Sequence, residues 1–79
     1  MIQPMVQVTF TISLRFREEI YDKLMMLSED TTASMLTEYL SKYVYGGLPV
    51  YLTDGRRRLK GKEVLGPLKG EKLQCLPSK

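Results

Sequence analysis

In this 79-residue chain the side chains with the most chemical capacity occupy alternate positions of residues 6–16, VQVTFTISLRF. Gln7, Thr9, Thr11, Ser13 and Arg15 supply one amide, three hydroxyls and one guanidinium, with no carboxylate among them. That donor-rich inventory suits the edges of nucleobases and phosphate oxygens. The plainer alternative is a half-buried antiparallel strand whose outer face meets water. A second concentration of donors lies at Arg56, Arg57, Arg58, Lys60 and Lys62. The chain carries +3 in total, yet residues 1–49 sum to −2 and residues 50–79 to +5. A polyanion neutralised by that basic segment fits the asymmetry, with salt-dependent and sequence-independent attraction. A solvated charge run is the other reading.

Other chemistries have little to work with. There is no histidine, and the single cysteine, Cys75, excludes an intramolecular disulfide and argues against a structural zinc site. No nucleophile-and-base arrangement and no glycine-rich phosphate loop is present. Glu18 and Glu19 are adjacent, so on a helix they diverge by roughly 100° and cannot share a site. The expectation is a protein that is not an enzyme, with no catalytic residue, no metal and no cofactor. One unpaired thiol, no signal sequence and no run of about 18 apolar residues point to a cytoplasmic protein with no membrane partner.

The elements that must hold these donors follow from periodicity. Val6, Val8, Phe10, Ile12, Leu14 and Phe16 alternate with the polar set, which predicts a strand with one apolar and one hydrogen-bonding face. After Phe16 the period changes to about 3.6, with Ile20, Leu24 and Leu27 on one stripe, which predicts a first helix over residues 17–28. Glu18 and Glu19 suit its positive N-terminal end. A polar break, residues 28–31, leads to Thr32 as N-cap of a second helix, with Thr31 or Asp30 as alternatives. Leu36, Leu40 and Tyr43 or Val44 form its stripe, Tyr39, Tyr43 and Tyr45 read as packing residues, and Gly46-Gly47 before Pro49 ends it. Asp54-Gly55 predicts a turn, either of a small hairpin or within an extended arm. From Lys60 the glycines, prolines and lysines read as irregular tail, in which Cys75 is incidental. Seventy-nine residues without a staple favour oligomerisation, since one strand and two helices cannot cover their own edges.

Strand, helix, turn, helix within about forty residues resembles the ribbon-helix-helix repressors of the Arc/MetJ/CopG type. The residues carrying the likeness are TISLRF (11–16) running into REEIYDKL (17–24), and TASML (32–36) followed by Glu38 and Leu40. It covers residues 6–46. The resemblance implies a fold that is mainly α with a short strand: an intertwined homodimer whose two strands pair as an antiparallel ribbon. Residues 1–5 would be a flexible arm, 6–47 the dimerisation and DNA-binding domain, and 48–79 an unmatched basic extension. It further implies double-stranded DNA as partner. Thr11, Ser13 and Arg15 would read bases in the major groove, and the backbone amides of Thr32, Ala33 and Ser34 would hold phosphate. Arg56, Arg57, Arg58, Lys60 and Lys62 would make auxiliary contacts to the DNA backbone or to a partner. The function expected is sequence-specific repression of transcription, and the added tail suggests a virus or plasmid product. Two alternatives stand beside it: an antitoxin-like or scaffold protein-interaction module acting through the tail, and a non-specific architectural DNA binder.

Overall fold

The computed structural model describes residues 7–78. Val6 and the expected N-terminal arm, residues 1–5, lie outside the described residues.

The alternating run forms strand β1 (Gln7–Phe16), and the chain then returns as a second strand, β2 (Glu19–Ser28). Ten consecutive antiparallel pairs join them, from Phe16–Glu19 at the turn to Gln7–Ser28 at the open end. Arg17, with φ 60°, turns the corner in the left-handed region that the tight connection demands. The helix α1 (Ala33–Tyr43) follows, capped by Thr32, whose hydroxyl accepts from the Met35 amide at 3.2 Å. Gly46 and Gly47, both at positive φ, carry the chain away from it. Strand β3 (Val50–Thr53), a short 3-10 turn (Gly66–Leu68) and strand β4 (Lys72–Pro77) complete the element order.

The four strands make one sheet in the order β2-β1-β4-β3. β4 lies parallel to β1, with Ile12 beside Leu73 and Leu14 beside Cys75, and antiparallel to β3, with Leu52 beside Cys75. Alternation then sends Phe10, Ile12, Leu14, Leu73, Cys75 and Leu52 to one face. There they meet Ala33, Leu36 and Leu40 of α1 and the connecting residues Tyr45, Leu59 and Leu65 in a single core. Among the described residues, no buried side-chain nitrogen or oxygen lacks a partner. No helix among them is long and apolar enough to cross a membrane.

The ribbon-helix-helix architecture is overturned on three counts. Residues 17–28 are a turn and a strand, not a helix: side-chain spacing that fits a helix stripe is outweighed by the ten ladder pairs of β2 with β1. β1 is internal, flanked by β2 and β4 of its own chain, so it has no free edge with which to form an intertwined two-stranded ribbon. The fold is therefore a mixed sheet packed by one helix rather than mainly α. The supposed extension contributes β3 and β4, half the strands of the sheet. The chain does reverse at Asp54-Gly55, where Asp54 Oδ1 accepts from the amides of Arg56 and Arg57. Leu59 donates back to the Leu52 carbonyl at 2.8 Å, but residues 56–59 do not join the sheet as a strand, and β3 pairs with β4 instead.

Candidate protein-interaction surface

One face of the sheet carries α1 and the other is open. Register places the open-face side chains in rows that cross the strands. Leu24, Thr11 and Lys72 form one row. Asp22, Ser13, Gln74 and Thr53 form the next. Ile20, Arg15, Leu76 and Tyr51 form the third, one step beyond the last β1–β4 pair. Each row is a consequence of the period of two: a residue and its cross-strand partner share a face.

In the middle row Asp22 and Ser13 are engaged, while Thr53, Gln74 and the third row are available. Lys72 Nζ reaches Asp22 Oδ2 at 2.9 Å, and the ammonium holds that carboxyl below its ordinary range. Ser13, between Asp22 and Gln74, is buried. In the third row Ile20 and Arg15 are exposed, and Leu76 and Tyr51 are half-buried. Arg58 lies over the Tyr51 ring, its guanidinium carbon 4.7 Å from the centroid, a cation–π contact that keeps ring and charge together. Among the described residues, no carboxylate bonds Arg15, Arg56 or Arg58. Tyr51, Thr53, Arg56, Arg58, Gln74 and Leu76 line one shallow depression, and Arg15, Ile20 and Leu76 line its neighbour. The result is a short apolar strip rimmed mainly by guanidinium groups, with Glu18 at the end nearest the β1–β2 turn.

Beneath this end of the sheet, Tyr45 ties two strands together. Its hydroxyl lies 2.7 Å from the Arg15 carbonyl and 3.2 Å from that of Cys75. Burial pushes the Tyr45 phenol well above its ordinary range and the Cys75 thiol up to about 11. Cys75 is fully buried in the core of β4 and is not incidental.

The expected site residues fall in different places. Thr11, Ser13 and Arg15 share the open face of β1, where Arg15 is exposed, Thr11 half-buried and Ser13 buried. At the anion site expected at Thr32, Ala33 and Ser34, two of the three amides are already taken by the chain. The Ala33 amide donates to the Glu63 carbonyl at 2.8 Å and the Ser34 amide to the Gly61 carbonyl at 2.9 Å. Arg57 is also engaged: Nη1 and Nη2 grip Glu63 Oε1 and Oε2 at 2.6 and 2.8 Å. The Lys60 amide adds a bond at 2.9 Å to the same carboxylate, and together these donors hold the Glu63 carboxyl down to about 2. Arg56, Arg58, Lys60 and Lys62 remain exposed. Tyr51 and Leu76, which complete the strip, carry no signal in the sequence, because only strand pairing brings them to Arg15.

The two-layer arrangement is that of the ubiquitin-like, or β-grasp, domains. The structure is similar to the ubiquitin of Caldiarchaeum subterraneum, with a TM-score of 0.71 at 18% identity over 94% of this chain and 96% of that one. It is also similar to the N-terminal ubiquitin-like domain of the 4931431F19Rik protein, with a TM-score of 0.65 at 14% identity over 98% of this chain and 82% of that one. A third likeness, to a protein from Arabidopsis thaliana, has a TM-score of 0.62 at 19% identity over 92% and 88% of the two chains. Comparison by sequence finds no matching family model and no matching curated protein. At these identities the likeness establishes the fold. It replaces the ribbon-helix-helix assignment, and the DNA-binding repressor and major-groove reader that rested on it fall with it; the viral or plasmid origin loses the resemblance that suggested it. DNA binding, specific or architectural, finds no support in the fold or in the helix N-terminus.

Proposed function

We propose that this chain is a non-enzymatic protein-interaction domain that recognises an acidic and partly apolar segment of a partner on its open sheet face. The observation carrying this reading is the third row, Ile20, Arg15, Leu76 and Tyr51, with Arg58 held on the Tyr51 ring. An apolar strip takes leucine- or phenylalanine-like side chains, and unpaired guanidinium groups at its rim take carboxylates in bidentate geometry. Arginine and tyrosine are also the residue types that concentrate binding energy at interfaces. Of the readings drawn from the sequence, the protein-interaction module is therefore the one retained, but its surface is the sheet and not a basic tail. The names of the solved relatives, ubiquitin and a ubiquitin-like domain, accord with such a role. The lone, buried thiol of Cys75 suits a cytoplasmic setting.

Selection of peptides from a random display library on the immobilised domain tests the proposal. The expected winners combine Asp or Glu with Leu or Phe, and they lose binding to a domain carrying Arg15→Glu and Leu76→Ser. Winners without acidic residues, or binding untouched by those substitutions, would remove the open face as the site.

A further inference from the structure

The two edges of the sheet are treated differently. β3 is only four residues long, and the loop after it folds back along its outer side. There Thr53 bridges Arg58, and Leu59 donates to Leu52. β2, at the other edge, is ten residues long and has no such cover among the described residues. It contains no proline, its pairing with β1 runs without a bulge, and its only basic residue is Lys23. The usual devices that blunt an edge strand are thus nearly absent. Its ladder is closed by a two-residue turn at Phe16–Glu19. Strict alternation from there aims the peptide groups of Ile20, Asp22, Leu24 and Met26 outward.

Apolar surface flanks this edge on both sides of the sheet. On the open side Leu24 and Met26 are 71% and 66% exposed. On the helix side Met25, Leu27, Met35, Leu36 and Tyr39 line a groove between β2 and α1. Tyr43, 65% exposed, extends that wall, with its ring 4.9 Å from that of Tyr39. A bound peptide strand presents only its own side chains to these two surfaces. A second sheet edge backed by its own helix covers both at once.

We propose that the chain forms a homodimer by antiparallel pairing of β2 with β2 of a second copy, giving one eight-stranded sheet with both helices on the same face. This association is separate from the intertwined β1 ribbon, which the sheet order rules out, and it does not rest on the open-face binding site. Charge and length of overlap together fix its register. In a two-fold antiparallel pair, facing residues must share a side of the sheet, so one residue of β2 faces its own copy. Centring on Asp22 or Lys23 sets like charges against each other, which is unfavourable. Centring on Tyr21 sets Ile20 against Asp22 and carries Leu24 and Met26 past the hairpin end. Centring on Leu24 sets Leu24 against Leu24, Met26 against Asp22 and Ile20 against Ser28, with no like charges opposed and, among registers free of that clash (Met25 included), the longest overlap. The helix-side grooves then join into one trough walled by Met35 and Tyr39 of both copies.

Sedimentation at micromolar concentration tests the association, and engineered cysteines test the register. The wild-type chain is expected at twice its monomer mass of 9.1 kDa. Leu24→Lys, at an exposed position that leaves the monomer's circular dichroism unchanged, is expected at the monomer mass. With oxidised glutathione, Leu24→Cys is expected to form a disulfide-linked dimer, because facing hydrogen-bonded residues have Cα atoms about 5.5 Å apart. Ile20→Cys is not, because in this register the two copies of residue 20 lie roughly 27 Å apart along the strands. A monomeric wild type, a dimer unaffected by Leu24→Lys, or equal cross-linking of the two cysteine variants would each overturn the proposal.

Discussion

Removing a single oxygen from Tyr45 tests whether the end of the sheet that carries the proposed interaction strip is held from below. The Tyr45 hydroxyl has one proton and two carbonyl neighbours, at Arg15 and Cys75, on the two central strands. Tyr45→Phe keeps the ring in place, including its tilted contact with Phe16 at 5.9 Å between centroids. It leaves those carbonyls without the hydroxyl at a point where water has little access, since Tyr45 is buried. A lost hydrogen bond with a partly desolvated acceptor left behind costs about 1.5 kcal/mol. For a domain of this size each kcal/mol is worth about 4–8 °C, so the melting temperature should fall by about 6–12 °C. Urea melts of wild type and variant give the difference, with an unchanged slope showing that the same amount of surface is exposed on unfolding. A Tyr45→Phe variant within about 0.3 kcal/mol of wild type would refute the role assigned to this hydroxyl, since that is below the net worth of a typical buried hydrogen bond.

Three further outcomes follow from the same geometry. Gly66→Ala is expected to destabilise by about 1–3 kcal/mol in the same melts, because its Cβ would sit 2.6 Å from the Glu29 carbonyl that Gly66 itself donates to. Arg17→Gly is expected to stabilise by up to about 1 kcal/mol, by relieving the left-handed φ of 60°, and a loss of stability would show the turn to be unstrained. Stability should fall as pH is lowered from about 4.5 towards 2: Glu63 has its folded pKa depressed to about 2 by Arg57 and the Lys60 amide, so the unfolded chain takes up the proton first. Glu63→Gln should reduce that part of the acid sensitivity, as read from unfolding midpoints across the range.

The sequence and the structure agree where structure is local. The alternation of residues 6–16 predicts a strand, and β1 follows it from Gln7; of the apolar set Phe10, Ile12 and Leu14 face the core, Val8 is half-buried and Phe16 is exposed. Thr32 caps a helix that ends before Gly46, as capping chemistry requires. They part where a long-range partner decides. Residues 19–28 carry good helix formers, and nothing in REEIYDKLMML announces that the strand before it will claim them as a ladder partner. Leu59, Leu65, Leu73 and Cys75 are fully or almost fully buried, yet their apolar runs are too short and too broken by charges, prolines and glycines to show which of them join one core. The parallel pairing of β4 with β1 joins residues some sixty positions apart and has no local signature. A strand followed by a capped helix is common to both architectures, which is why the ribbon-helix-helix likeness could form on residues 6–46. For the candidate surface, Arg15 was legible as an exposed donor on a strand. Leu76, Tyr51 and the Arg58 contact were not, because they reach Arg15 only through two further strand pairings.

The most direct test of the open face is an amide chemical-shift titration of the isotope-labelled domain with an acidic, leucine-containing peptide. The largest shifts are expected on Arg15, Ile20, Tyr51, Thr53, Gln74 and Leu76, and they should disappear when the peptide's carboxylates are replaced by amides. Shifts confined to α1 and the β2 edge, or equal binding of the neutral peptide, would contradict it.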